Sequence, residues 1–196
     1  MAKNLAERFL DVKNQIKLAA EKAGRNADEI KLVAVSKTHP AEILLEAIEA
    51  GANVLGENKV QEAESKIEQI GRTKAEWHLI GHLQSNKARK AVKLFDWIHT
   101  LNSRELAERL ERICIEENRT DLKVLIQVDL ANENTKSGVS ENDLPALIDF
   151  FKTCECLKLK GLMIIPPYFE DAEKTRPFFR KLCEVRSELL PEGELS

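Results

Sequence analysis

Lys37 is the residue of this sequence best placed to do chemistry. It closes the run Lys31 to Lys37, reading KLVAVSK, and Thr38-His39-Pro40 follows it. Val33, Val35 and Lys37 recur at period two, so on a strand they share one face. If that face lines a core, the amine is partly desolvated. Desolvation disfavours the ammonium and frees a lone pair to attack an aldehyde. On spacing alone a second reading stays open, a solvated loop lysine among the chain's 30 basic residues.

Other groups have weaker claims. His78 and His82 have the spacing of a metal pair, and with Asp129 they suggest a metal-dependent hydrolase. That spacing ligates well from a helix, whereas here it lies on a strand running into Gly81, so hydrogen bonding or packing is expected. Lys87, Arg89, Lys90 and Lys93 would attract phosphate or nucleic acid, but a solvated helix face explains them equally. Asn132 to Gly138 has the composition of a catalytic loop and of an ordinary turn. Cys154 and Cys156, with Cys114 and Cys183, lack C-x-x-C spacing and read as reduced thiols at helix packing surfaces. Met163 suits a ring contact or a core.

These residues need elements to position them. Leu5, Phe9, Val12, Ile16, Ala19 and Ala23 lie three or four apart, which predicts a helix stopped by Gly24. After it, short apolar runs of strand length alternate with helical patterns. Strands are expected at residues 31–37, 53–56, 77–81, 96–100, 122–129 and 159–165. The helices between them are expected at 40–50, 57–70, 86–95, 103–117, 141–152 and 171–190, with Ser103 as an N-cap. Such alternation implies a parallel sheet covered by helices. No G-x-G-x-x-G follows the first strand, so a Rossmann-type sheet is disfavoured against a closed β/α (TIM-type) barrel. In that barrel the site forms where the strands end, which puts Lys37 on the rim.

With 196 residues, 43% hydrophobic and 32% charged, the chain suits one domain spanning 1–196. A net charge of −3 argues against a nucleic-acid partner, and no apolar run is long enough to span a membrane. The amphipathic N-terminus lacks a signal-peptide centre, so the expected location is cytoplasmic. A full barrel has eight strands and typically ~250 residues. The six strands read here lead to the expectation of a barrel truncated after its sixth strand and the following helix.

The rim residues also carry a resemblance. V-A-V-S-K-T-H-P (33–40), G-E-N-K-V-Q-E (56–62) and W-H-L-I-G-H-L-Q-S-N-K (77–87) resemble the pyridoxal phosphate homeostasis family, relatives of the alanine racemase N-terminal domain. So do I-H-T-L-N-S (98–103), Q-V-D-L-A-N-E-N-T-K-S-G (127–138) and G-L-M-I-I-P-P (161–167), in the family's order. The resemblance implies pyridoxal 5′-phosphate as cofactor, held as an aldimine on Lys37. It places Asn58, His82 and Met163 in the cofactor pocket. It further implies a carrier in vitamin B6 balance rather than an enzyme, with apoenzymes that use the cofactor as recipients and a monomer or weak dimer as the expected state. The alternative is a pyridoxal phosphate-dependent amino-acid racemase, for which the only tyrosine, Tyr168, would be the obvious proton carrier. Family members continue with two loops that hold the cofactor phosphate. Ser196 matches the start of the first of them.

Overall fold

The computed structural model describes residues 3–130 and 138–190. Strands and helices alternate as expected: α1 (Leu5–Lys22), β1 (Ala34–Val35), α2 (Ala41–Glu49), β2 (Val54–Glu57), α3 (Val60–Ile70), β3 (Glu76–Leu79), α4 (Ala88–Leu94), β4 (Trp97–Leu101), α5 (Arg104–Glu116), β5 (Leu122–Gln127), α6 (Leu144–Phe151), β6 (Leu157–Met163) and α7 (Arg176–Leu189). The strand order is that of the chain, β1-β2-β3-β4-β5-β6. The pairs β1–β2, β4–β5 and β5–β6 are parallel, the geometry that helical crossovers require. Two compact units divide the chain, Met1–His78 and Leu79–Ser196.

In the first unit, α1 opens with a capping box. Asn4 Oδ1 accepts from the Glu7 amide at 2.8 Å, and Glu7 returns the bond to the Asn4 amide at 2.9 Å. Most of α1 stays near the surface, and Ala20 is its only buried residue. Pro40 is the N-cap of α2, one position earlier than the first-turn place expected for it. Gly51, at φ +95°, turns the chain from α2 into β2, a conformation in which a side chain would be strained. α3 buries Val60, Ala63, Ile67 and Ile70 at helical spacing, and Lys66 lies within that stripe. β1 is much shorter than the expected residues 31–37. Only Ala34 and Val35 find ladder partners, opposite Leu55 and Gly56, while Lys31 pairs with Glu76 at 2.8 Å instead.

The second unit has the deeper core, with Leu79, Phe95, Ile98, Leu110, Leu122 and Ile126 fully buried. Ser103 caps α5 as expected, accepting from the Leu106 amide at 3.2 Å. In β5, Leu122, Val124 and Ile126 are buried at period two. β6, not β5, is the longest strand, because it contains a bulge. Val124 faces Leu159, yet Leu125 faces Gly161, so β6 carries one extra residue at Lys160. Gly161 adopts φ +140° there. Glu111 of α5 clamps the entry to β6. Its carboxylate accepts from the amides of Glu155, Cys156 and Leu157 at 2.7, 3.0 and 2.9 Å.

Candidate functional site

The register of the first unit brings Lys37 and Asn58 to equivalent places. Val35 pairs with Gly56, and each of the two residues lies two positions beyond that pair, past the C-terminal strand ends. Asn58 is half-buried and Lys37 is exposed. The expected desolvation of Lys37 is therefore absent here. Val35, on the same face, is 52% exposed, since a two-residue strand leaves that face uncovered. Among the described residues the Lys37 amine makes no hydrogen bond or ion pair.

The backbone that carries this amine is tightly held. The His39 amide donates to Ser36 O at 3.2 Å, closing a turn with Lys37 and Thr38 at its corners. Thr38 has φ +67°, where a type II turn favours glycine and a β-branched residue is strained. Beneath the turn lies a buried polar cluster. Lys66 Nζ donates to Ser36 O at 2.8 Å and to Glu57 Oε1 at 2.6 Å, and Ser36 Oγ lies 2.7 Å from the same carboxylate oxygen. Ser36, Glu57 and Lys66 are 4, 0 and 8% exposed. One turn before Lys66, the Glu62 carboxyl is held below its ordinary range. The main cause is its bond to Lys59, with smaller help from Lys66 and from the Thr38 amide.

In the second unit, Thr100 fixes the loop after β3 by donating to Gly81 O at 2.7 Å. His82, next in that loop, is exposed and lines a cavity of about 350 Å³ with Asn102, Ser103, Arg109 and Arg112. Met163 ends β6 and is half-buried. Its partner Gln127 shows that the bulge has moved it to the face of Leu125, opposite the face that carries Val124 and Leu159. Gly138 lies where the chain returns beside β5, with Val139 bonded to Gln127 O at 2.8 Å and Asp129 to Val139 O at 3.0 Å. Ser196 and residues 132–137 of the expected loop lie outside the described residues.

The remaining candidates resolve into packing and surface charge. His78 is 1% exposed, with Nε2 3.5 Å from Glu76 Oε1. Arg89 and Lys93 of α4 face acidic partners at the C-terminal end of α5. Arg89 bonds Glu117 at 2.5 Å and also Glu116, while Lys93 bonds Glu117 at 3.0 Å. Those contacts, Arg89 first, lower the Glu117 pKa. Burial pushes the Cys114 and Cys154 thiols up to about 12 and raises Cys156 as well.

Comparison with known proteins places this architecture. A family model described as the alanine racemase N-terminal domain matches residues 11–195. The pyridoxal phosphate homeostasis protein of Aquifex aeolicus (strain VF5) is 40% identical over 186 residues, covering 95% of this chain and 81% of its own length. That of Escherichia coli (strain K12) is 42% identical over 178 residues, covering 89% and 75%. The chain belongs to the pyridoxal phosphate homeostasis family. A solved structure, PipY of Synechococcus elongatus PCC7942 with PLP bound, matches with a TM-score of 0.83 at 36% identity over 98% of this chain and 86% of its own. Alanine racemase of Clostridium difficile 630 matches 93% of this chain and 47% of its own, with a TM-score of 0.70. At 17% identity that likeness shows the shared alanine-racemase barrel fold alone.

Sequence reasoning about this homeostasis-family chain did not single out the cluster of Ser36, Glu57 and Lys66. Ser36 and Glu57 stood among the rim positions with nothing to distinguish them. Lys66 did leave a signal. It falls three residues after Ala63 and one before Ile67, a charge inside an apolar stripe, which points to a buried partner. Thr100 left none.

Proposed function

We propose that this chain binds pyridoxal 5′-phosphate and serves in intracellular vitamin B6 homeostasis, with the cofactor held as an aldimine on Lys37. The observation that carries the proposal is the Lys37 amine. It stands at a parallel-strand end, exposed and unpaired among the described residues, on a backbone turn fixed from below. An exposed primary amine is the donor that an aldehyde cofactor requires, and in β/α folds ligands bind at this end of the strands. Relatives about 40% identical are named as homeostasis proteins, and PipY has been solved with the cofactor.

The residues divide the work. Lys37 Nζ would hold the cofactor through its aldehyde carbon, a linkage that water can reverse. Asn58, one residue past the end of β2, is assigned to the cofactor pocket by the family resemblance. His82 and Met163 are assigned to contact the cofactor by the family resemblance, and Ser196 to its phosphate on the same ground. When bound, the cofactor supplies an electron-withdrawing ring. A carrier needs only the reversible bond, and apoenzymes that use the cofactor are the proposed recipients. A monomer or weak dimer in the cytoplasm is the proposed state. Among the described residues, no helix is long and apolar enough to cross a membrane. Racemisation would require a proton carrier at each face of the substrate. Tyr168, the only tyrosine, is 91% exposed in the loop after Pro166-Pro167, so no observation favours that alternative.

The test is direct. The protein is incubated with pyridoxal phosphate, its visible spectrum is recorded, borohydride is added, and the added mass is located by peptide mapping. A single adduct on Lys37, absent from Lys37→Ala, is expected. An adduct on another lysine, or none, would overturn the assignment.

A further inference from the structure

We infer that the buried trio of Ser36, Glu57 and Lys66 is a positioning device for Lys37, and this rests on the reading that Lys37 holds the cofactor. The trio ties three elements together directly beneath the lysine. Ser36 ends the β1 side, Glu57 ends β2, and Lys66 lies on α3. The Lys66 ammonium bonds the carbonyl oxygen of Ser36, part of the peptide plane that leads into Lys37. The same oxygen accepts the His39 amide that closes the turn. The ammonium of α3 and the turn-closing amide thus meet on one oxygen, and the peptide plane that leads into Lys37 answers to that helix.

Stability alone gives a poor account of the trio. Glu57 is fully buried, and its Oε2 has no hydrogen-bond partner among the described residues. A buried ion pair with an orphaned carboxylate oxygen is weakly stabilising at best, and an apolar pair of similar volume often serves as well. Such a pair does fix geometry, because neither charge can leave its partner without a large penalty. Thr38 points the same way, since its strained φ of +67° persists only where the surroundings over-determine it. The device holds the backbone from which the amine springs before any cofactor arrives, so that part of the ordering precedes the covalent step.

The experiment uses the full chain and the double variant Glu57→Gln/Lys66→Met, which removes both charges and leaves neither buried alone. Covalent capture is followed by stopped-flow absorbance at increasing pyridoxal phosphate. Amide hydrogen exchange of residues 36–39 is measured without cofactor, and thermal unfolding controls for the fold. The expected result is an unchanged melting temperature, an unchanged half-saturating concentration, and a limiting rate lower by about tenfold or more. Exchange at His39 should rise by a comparable factor while core amides stay protected. A variant that folds and matches the wild type in limiting rate and in exchange would overturn the inference. Should the double variant fail to fold, Ser36→Ala decides the matter. It deletes one hydroxyl, and an unchanged limiting rate and His39 exchange would again overturn it. Absence of a Lys37 adduct in the wild type would sink the functional reading instead, and the exchange measurement would still judge whether the trio holds the turn.

Discussion

Thr38 concentrates the site's tension in one residue. Its φ of +67° is a glycine conformation carried by a β-branched side chain, and strain of that kind amounts to about 1–3 kcal/mol. Glycine relieves it but loses about 0.5–1 kcal/mol through the freer unfolded chain. Thr38→Gly is therefore expected to raise the unfolding free energy by about 1 kcal/mol, measured by urea denaturation. A decrease would show that the threonine side chain contributes more than its backbone loses. The place of Lys37 beside it, just past a strand, was legible in the sequence, because the run before it has the strand pattern. The support was not. Ser36 reads as any small polar residue, and Lys66 meets Glu57 only through a fold that brings together residues nine apart on different elements.

At the scale of elements, close backbone approach decides what a position tolerates. A Cβ at Gly138 would stand 2.7 Å from the Asp129 nitrogen and 2.9 Å from the Val128 carbonyl carbon, and backbone atoms cannot move aside as a flexible side chain can. Gly138→Ala is expected to open the bridge between Val128 and Val139 and to lower stability by about 1–3 kcal/mol in thermal unfolding. An unchanged midpoint would mean that the loop re-forms at no cost. The number and order of the elements could be read from period and punctuation, because both depend on neighbouring residues. Their limits could not. Leu32 and Val33 have strand-like side chains but fall outside β1, because a strand needs partners and partners come from distant sequence. The bulge in β6 was equally hidden, since Gly161 alone does not reveal an extra residue.

For the whole molecule, the fold class followed from alternation, and the family from motifs spread across the chain. The cysteines bear on global stability. Folding keeps Cys114 and Cys154 protonated up to about 12, against an ordinary value of 9.0, with burial as the leading cause. Their folded pKa values lie above the unfolded ones, so the neutral thiols contribute stability fully below pH 9.0. Between there and about 12 the unfolded chain binds fewer protons, and stability falls as pH rises. Urea midpoints measured at pH 8 and pH 10 should show this decline, less steeply in Cys114→Ala than in the wild type. Equal slopes would exclude a contribution from that thiol. Changes of length act on the molecule in another way. Loops generally absorb a lost residue, but the alternation of a strand has parity. Lys160 is the residue that inverts it in β6. Because Leu125 already faces Gly161, deleting Lys160 would leave Leu162 opposite Ile126 and Met163 opposite Gln127, so the strand would lose its bulge and keep its faces. A bulge is thus a place where a strand, like a loop, can lose a residue without readdressing those beyond it.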